Sequence, residues 1–367
     1  MHRKRFGVIG GGLIAQAVHL PNLHANAAVE LVAIADPSAE TSAGLAAKYG
    51  LRASYLDWRE MLQAEELDAV VVCSPHSTHA AIVHAAIELG IHSLVEKPLC
   101  IDPADARAIA VAAAAAGVIV QVGYMKRFDP AYERFLSGMP SPESLRLIDV
   151  VTYDPWMSRE PYVPWNSMIR GNDIPADVLK AGLADEARQV GAAVGTDDPQ
   201  TVRSYSYTFL ACLIHDINLV RGVLDAWGMS STAVSSAAWA DGNAASATLR
   251  LSNGAEWRTS WMLLPGLERF EERASFYFDD AIHELQFAVP YHSQAPTLLK
   301  TLTTMNGRPV ETVDSFVSDS YVAELDAFLA AIDSGAAVLT PPEQSVGDIE
   351  ILRDLFLLRS TGEEVRR

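Results

Sequence analysis

A lysine and a glycine-rich turn are the residues whose types and spacing point most directly to chemistry. Lys97 stands between a glutamate and a proline, directly after a short apolar segment. A lysine held at the end of a strand can hydrogen-bond a hydroxyl group and take part in proton transfer, although an isolated loop lysine is usually solvated. Near the N-terminus, Gly10, Gly12 and Ala15 follow another apolar segment and match the pattern G-x-G-x-x-A.

This glycine pattern is typical of a turn that holds the pyrophosphate of a dinucleotide. Gly10 permits the tight turn, Gly12 lets the backbone approach the phosphates, and Ala15 lets a helix pack closely on the strand. The alternative is an ordinary strand–helix turn. Asp36 ends the second apolar segment, at the distance expected for an acid that binds the adenosine ribose. Because residues 37–39 are Pro-Ser-Ala, without an arginine for a 2′-phosphate, NAD is favoured over NADP.

The elements that position these residues alternate between strand and helix. Such alternation predicts an α/β fold with a doubly wound parallel sheet, and we expect a dinucleotide-binding Rossmann domain at residues 1–128. The predicted strands lie at 6–9, 29–35, 69–73, 92–95 and 118–122, and the helices at 39–49, 57–64, 78–89 and 103–116.

The remainder of the chain predicts a second domain. Asp241-Gly242 and Asn253-Gly254 flank a strand-like segment, which indicates a hairpin. We therefore expect a C-terminal α+β domain with an open, mostly antiparallel sheet. It would contain an irregular insertion that is a lid, a binding loop, a subunit contact or an exposed decoration. The expected ranges are 129–345 for this domain, 155–205 for the insertion and 346–367 for a C-terminal helix that packs back near the first domain.

Composition excludes several classes of protein. The net charge of −18 argues against a nucleic-acid or anionic-membrane partner, since both need a basic surface. Cys73, Cys100 and Cys212 are scattered through apolar segments and fit neither a disulfide framework nor a metal ligand set. No apolar run approaches the length of a membrane span, and a strand and glycine turn stand where a signal peptide would have its core. We expect a cytoplasmic protein without a metal.

Several motifs together resemble the glucose–fructose oxidoreductase, inositol dehydrogenase and rhizopine-catabolism (Gfo/Idh/MocA) family. The Glu-Lys-Pro tripeptide is the most specific of them, and Arg127-Phe-Asp-Pro-Ala-Tyr132 resembles the inositol dehydrogenases of that family. The resemblance is strong through residue 132 and extends more weakly to the C-terminus. The motifs are the N-terminal G-x-G-x-x-A, Asp36, Ser74-Pro75-His76-x-x-His79, Glu96-Lys97-Pro98, the segment 122–130 and Ser360-Thr-Gly362.

The resemblance implies an enzyme that binds NAD(P) in its N-terminal domain and oxidises a ring hydroxyl of a sugar or cyclitol, or reduces the matching ketone. Lys97 would reach the reacting hydroxyl, and Pro75 and His76 would line the nicotinamide pocket. His79 would either cap the following helix or touch the cofactor. The predicted cofactor contacts are Gly10, Gly12, Leu13, Ile14, Asp36, Ser74, Pro75, His76, His79, Glu96 and Lys97.

The family's second signature is an acid four residues before a histidine on one helix, where the histidine is the general base and the acid orients it. His215 matches the histidine, but Ala211 stands in place of the acid. Asp216 does not simply substitute, because adjacent residues of an α-helix point about 100° apart. Either another residue supports His215 or the base differs. The candidate supports are Tyr153, Asp154 and Tyr207.

Substrate contacts are predicted from both domains. Arginines that include Arg127 and Arg159 favour an anionic substituent on the substrate, or are simply solvated. Trp156 could offer an apolar platform to the C–H face of a sugar, or could anchor the insertion. The predicted substrate contacts are Lys97, Arg127, Tyr153, Asp154, Trp156, Arg159 and His215.

Three functions are open at this point. The first is an NAD-dependent dehydrogenase of a sugar or inositol-like polyol, with Lys97 and His215 in a proton relay. The second is an NAD-dependent glycosidase, in which transient oxidation permits elimination and the cofactor is regenerated; the alanine at position 211 makes it a serious rival. The third is a non-enzymatic sugar or nucleotide sensor. The expected partners are a small carbohydrate or polyol and further copies of the chain in a homodimer or homotetramer.

Overall fold

The chain folds into two compact units. The computed structural model describes residues 3–156, 163, 165–196, 198–292 and 295–361. The first unit comprises Met1–Tyr124, Pro164–Gly195 and Tyr321–Gly347, and the second comprises Met125–Val163, Thr196–Ser320 and Asp348–Arg367. The predicted boundaries differ from this division, because residues 164–195 of the expected insertion group with the first unit and residues 348–367 group with the second.

A parallel sheet forms the core of the first unit. Its strands are β1 (Lys4–Ile9), β2 (Val29–Ala35), β3 (Ala53–Tyr55), β4 (Ala69–Val72), β5 (His92–Glu96) and β6 (Val120–Gly123). They are arranged in the order β3-β2-β1-β4-β5-β6, with every pairing parallel. The predicted doubly wound sheet is thus confirmed. Phe6 of β1 is fully buried, and the ring of Phe328 packs edge-on against it at 6.1 Å between ring centres.

A larger, mostly antiparallel sheet organises the second unit, as predicted. Its strands are β7 (Leu145–Asp154), β8 (Ser231–Trp239), β9 (Ala244–Leu251), β10 (Glu256–Leu263), β11 (Glu271–Phe278), β12 (Ala281–Gln286), β13 (Thr297–Met305), β14 (Arg308–Phe316) and β15 (Arg359–Thr361). The order is β14-β13-β12-β11-β7-β10-β9-β8-β15, and the β7–β10 and β8–β15 pairs are parallel. The predicted hairpin strand is β9, with antiparallel partners on both sides.

Helices complete both units. The described α-helices are α1 (Leu20–Ala25), α2 (Ala39–Tyr49), α3 (Trp58–Ala64), α4 (His76–Glu88), α5 (Pro103–Ala116), α6 (Pro130–Gly138), α7 (Ala176–Val194), α8 (Pro199–Arg203), α9 (Ile214–Trp227), α10 (Ser320–Ser334) and α11 (Pro342–Leu358). Segments of π-helix, Ala15–His19 and Ser204–Leu213, lead directly into α1 and α9. Among the described residues, no helix combines the length and the apolar character that crossing a membrane requires.

The helices that match the prediction residue for residue, α2 and α5, are those with strong local end signals. Ser38 caps α2 by accepting a hydrogen bond from the Thr41 amide, and Asp102 caps α5 by accepting one from the Ala104 amide. A glycine with positive φ ends each helix. Because such signals depend only on neighbouring residues, the sequence was sufficient to locate these helices.

Candidate active site

The glycine turn after β1 leaves open space at one position. Gly10 has φ +93°, and a Cβ there would lie 2.7 Å from the Cys73 carbonyl, so only glycine fits. A Cβ on Gly12 would meet nothing within 4 Å. Gly12 is exposed, and Leu13 and Ile14 beside it are half-buried. The turn therefore has room at the position where a dinucleotide pyrophosphate would approach the backbone.

Asp36, at the end of β2, is tied to the glycine turn. Its Oδ2 accepts a hydrogen bond from the Gly11 amide at 2.8 Å, and its Oδ1 accepts one from the Ser38 amide at 2.9 Å. The carboxylate is half-buried and remains partly accessible. This position suits an acid that binds ribose hydroxyls, and the residues present fit a dinucleotide cofactor.

Glu96-Lys97-Pro98 stands at the carboxyl end of β5, on the sheet edge where ligands bind in open α/β folds. Lys97 is half-buried, and the peptide bond to Pro98 is cis. Glu96 is buried; its Oε1 accepts a hydrogen bond from His19 Nε2 at 2.8 Å, and its Oε2 accepts one from the Lys97 amide at 3.2 Å. Burial favours the neutral form of Glu96, yet the hydrogen bond and charge of His19 and the charge of Lys97 lower its pKa below the ordinary value.

The turn after β4 is connected to this tripeptide by His79. The ring lies 2.8 Å from the Pro98 carbonyl oxygen at Nδ1 and 2.8 Å from the Ser74 carbonyl oxygen at Nε2. Burial lowers the pKa of His79, so the neutral ring donates to one of the two oxygens. His79 has no exposed surface and holds the two turns together. That it caps the helix or touches the cofactor stays a prediction.

His76 and Pro75 remain accessible at the start of α4. Pro75 is exposed, and His76 is half-buried with its ring 5.8 Å from that of His79. Burial, together with the nearby charges of His79 and Lys97, lowers the pKa of His76 well below its ordinary value. The ring is therefore neutral at physiological pH. It can line a binding site and form hydrogen bonds there, but it does not act as a cation.

In the second unit, His215 lies in the first turn of α9 and is half-buried. The helix before it, Ser204–Leu213, is of the π type. A π-helix bonds residue i to i+5 instead of i+4, and such segments are frequent at functional sites. The four-residue spacing of an α-helix therefore does not define which residues share a face with His215, so an acid at position 211 would not occupy the usual α-helical place.

The Asp216 side chain is hydrogen-bonded to the sheet of the second unit. Its side chain is 1% exposed; Oδ2 accepts a hydrogen bond from Thr259 Oγ1 at 2.9 Å, and Oδ1 accepts one from Thr152 Oγ1 at 3.4 Å. Burial raises the pKa of Asp216 to about 6, although the charge of Lys126 and the two hydroxyls oppose this shift. This geometry agrees with the inference that Asp216 does not replace the missing acid.

We expect Asp216→Asn to change how stability depends on pH. Because the folded-state pKa is raised, the carboxyl contributes its stabilisation fully below its unfolded pKa and loses it as the pH rises through about 6. The free energy of unfolding of the native protein should fall by about 3 kcal/mol relative to the variant between about pH 3 and pH 8. Urea unfolding across this range measures the difference; Asp241→Asn, at an exposed turn, is the control. Parallel curves for Asp216→Asn and the native protein would contradict the expectation.

The remaining predicted substrate contacts have different surroundings. Asp154 is buried at the end of β7, Tyr153 is half-buried, and Trp156 is 48% exposed with φ +70°. Tyr207 is half-buried, with its ring 5.6 Å from that of Trp261. Burial raises the pKa of Tyr207, and the nearby charges of Cys212 and Asp154 raise it further. The structure thus brings two of the candidate supports for His215, Tyr207 and Asp154, into one electrostatic neighbourhood.

Two arginines were also predicted to contact the substrate. Arg127 is 5% exposed and its guanidinium occupies the space beside Gly222, where it donates to the Asn218 carbonyl oxygen at 3.5 Å. The Arg127 side chain therefore packs against α9, and its contact with a substrate stays a prediction. Arg159 lies outside the described residues.

Two other buried polar contacts were not predicted from the sequence. Lys126 and Glu272 form a buried ion pair beneath the Phe287 ring, which lies 5.4 Å from Lys126 Nζ. Gln16, 7% exposed, hydrogen-bonds both the glycine turn and residue 169. Each joins residues more than 140 positions apart, so no local pattern could have indicated them.

Sequence comparison shows that part of the chain is similar to NAD-binding oxidoreductases. Residues 4–124 match the family described as "Oxidoreductase family, NAD-binding Rossmann fold" (GFO_IDH_MocA). The chain is 34% identical over 150 residues to 4-carboxy-2-hydroxymuconate-6-semialdehyde dehydrogenase of Sphingobium sp. strain SYK-6, a match that covers 41% of this chain and 47% of that enzyme. It thus spans about half the length of that relative.

Two further similarities extend over nearly the whole chain. An inositol 2-dehydrogenase of Rhizobium meliloti is 26% identical over 348 residues, which cover 91% of this chain and 90% of that enzyme. The solved structure of UDP-N-acetylglucosamine 3-dehydrogenase from Acidithiobacillus ferrooxidans superposes with a TM-score of 0.72, at 21% identity and with 98% of each chain covered. At that identity the superposition supports the fold alone.

Proposed function

We propose that the chain, whose residues 4–124 match the NAD-binding Rossmann domain of the Gfo/Idh/MocA oxidoreductase family, oxidises a ring hydroxyl of a sugar or inositol-like polyol, or reduces the matching ketone. The observation that carries this proposal is the end of β5. There Glu96 is fixed by His19 and by the Lys97 amide, which holds Lys97 at the sheet edge that also carries the glycine turn.

The relatives favour a dehydrogenase over the two alternatives. The full-length similarity is to an inositol 2-dehydrogenase, and a partial one, 32% identical over 201 residues, is to a UDP-N-acetylglucosamine 3-dehydrogenase. Both names describe oxidation of a ring hydroxyl, whereas a glycosidase needs an additional elimination step. The presence of Lys97 and His215, which a sensor would not need, argues in the same direction.

In the proposed mechanism, two side chains of this protein handle the proton of the reacting hydroxyl. When bound, nicotinamide supplies the hydride acceptor. Lys97 hydrogen-bonds the reacting hydroxyl and orients it, and His215 accepts the hydroxyl proton as general base. Glu96 orients Lys97 through its backbone amide, while His79 keeps the adjoining turns in place. Tyr207 and Asp154 are the proposed supports of His215 in place of the family acid.

The cofactor and partners follow from the same reasoning. The residues that would hold the dinucleotide are Gly12 with its open space, Leu13 and Ile14 beside it, and Asp36 at the ribose. We assign NAD as the preferred cofactor, because Asp36 is followed by Pro-Ser-Ala without an arginine. The partners we propose are a small carbohydrate or polyol substrate and further copies of this chain in a homodimer or homotetramer.

The test is NADH formation with a panel of inositols, free sugars and nucleotide sugars. The proposal requires stoichiometric NADH with at least one polyol or sugar, and Gly12→Val should abolish it by filling the space at the pyrophosphate. Gly182→Val is the matched control, because a Cβ at Gly182 also meets nothing within 4 Å and lies on the exposed helix α7. Hydrolysis of a glycoside with catalytic NAD and no net NADH would instead establish the glycosidase.

A further inference from the structure

A segment of the expected insertion is fastened to the dinucleotide-binding turn. We call residues 165–173 the strap; they belong to the first unit. Gln16 donates from Nε2 to the Ile169 carbonyl at 2.8 Å and accepts at Oε1 from the Ile169 amide at 2.9 Å. The same Nε2 donates to the Gly11 carbonyl at 2.7 Å. One buried amide thus holds both the strap and the glycine turn.

The strap is also fastened to the start of α2. The Gly171 amide donates to Thr41 Oγ1 at 2.9 Å, and the Glu40 amide donates to Asp173 Oδ2 at 3.1 Å. Ser38 Oγ donates to Asp173 Oδ1. A Cβ on Gly171 would collide with the Ser38 hydroxyl, so this close approach needs glycine. Asp173 is therefore held in a defined place beside the loop that follows β2.

Three carboxylates meet at this loop. Asp36 accepts from the Ser38 amide while Asp173 accepts from the Ser38 hydroxyl, so a single serine separates the two acids. Glu40, which accepts from the Asn172 amide at 3.3 Å, is the third. Asp173 and Glu40 are exposed, and the Ser38 hydroxyl lowers the pKa of Asp173. The strap's own cation, Arg170, stacks on the Trp165 ring at 4.9 Å.

We infer that Asp173 is a specificity-determining residue, through which the strap excludes the 2′-phosphate of NADP from the dinucleotide site. The inference rests on the proposed function, since the end of β2 is where the adenosine ribose of a Rossmann cofactor binds. NAD presents a neutral hydroxyl there, which can donate a hydrogen bond to a carboxylate. NADP presents a negatively charged phosphate there, which the carboxylates of Asp36 and Asp173 would repel.

The test measures dissociation constants by fluorescence titration with NADH and with NADPH at one fixed salt concentration. Asp173→Asn keeps an oxygen to accept from Ser38 but removes the charge. We expect it to improve NADPH affinity by about tenfold relative to NADH affinity, with the gain shrinking at high salt. Asp177→Asn, an exposed acid just beyond the strap, is the matched control and should leave the ratio unchanged.

A second variant moves the strap without changing its charge. Gly171→Ala places a methyl group against Ser38 and should displace Asp173, so the ratio should shift in the same direction as in Asp173→Asn. If NADH binds and the ratio in Asp173→Asn stays within about twofold of the native one, the inference is overturned and the proposed function stands. If neither NADH nor NADPH binds the native protein, both fail.

Discussion

Replacing Lys97 with methionine is expected to lower kcat by about 10²–10⁴-fold, the range typical of general acid–base groups, while NADH still binds. Methionine preserves the length and apolar stem of the side chain but cannot donate a proton or a hydrogen bond. The backbone amide of residue 97 still donates to Glu96, and His19 still donates to the other carboxylate oxygen. The end of β5 should therefore keep its shape, and the loss should appear in turnover.

His215→Ala is expected to give a loss of similar size, because in the proposed mechanism both side chains handle the same proton. Groups that act as a unit are not additive, so Lys97→Met combined with His215→Ala should be little slower than either single variant. The measurements are kcat by steady-state NADH formation and Kd by fluorescence titration. Lys180→Met and His292→Ala, at exposed positions, are the controls. Normal turnover in His215→Ala would remove it from the mechanism, and losses that multiply would argue against a shared relay.

The second large effect is expected on stability, from Lys126→Met. Lys126 is 8% exposed and Glu272 is 3% exposed, and they form an ion pair in the second unit. Removing one partner of a buried pair leaves an uncompensated charge and costs about 3–5 kcal/mol. Asp216 also loses the cation that opposes the rise of its pKa. The melting temperature should fall by roughly 6–20 °C.

A double variant separates the charge from the packing. Lys126→Met combined with Glu272→Leu replaces the pair by apolar groups, which is often neutral or stabilising, so most of the loss should be recovered. Lys300→Met is the control, because its pair with Glu284 at 3.0 Å is partly exposed and is expected to contribute no more than about 1 kcal/mol. Equal losses in Lys126→Met and Lys300→Met, measured by thermal unfolding, would contradict this account.

Much of the first unit could be predicted because its signals are local. The strands of the parallel sheet are continuous apolar segments, and the helices between them have caps within a few residues of their ends. Strand β3 was missed because Ala-Ser-Tyr is too short to show any periodicity. In the second unit, β9 was found from its flanking turns, whereas β13 and β14 were missed because most of their side chains are exposed and show no apolar alternation.

The site was only partly predictable, for a different reason. Gly10 could be predicted because its backbone conformation, with φ +93°, selects glycine directly. His79 was expected near the cofactor, and the carbonyls that occupy its ring come from two separate turns. Arg127 was expected at the substrate, yet the missing side chain of Gly222, far along the chain, leaves the space that it fills. The Pro98 carbonyl lies 19 positions from His79, and Gly222 lies further still from Arg127, so neighbouring residues indicate neither contact.

The sequence by itself determined the doubly wound fold, the glycine turn after β1 and the place of Asp36 at the end of β2. Each of these features depends on neighbouring residues or on a spacing of about twenty residues. Only the tertiary structure decided that residues 165–173 join the first unit, that Asp173 stands beside Ser38, and that Asp216 serves the sheet. The hydrogen bonds that fix these placements span from 43 to 153 positions of sequence, and backbone patterns do not encode which distant side chain completes them.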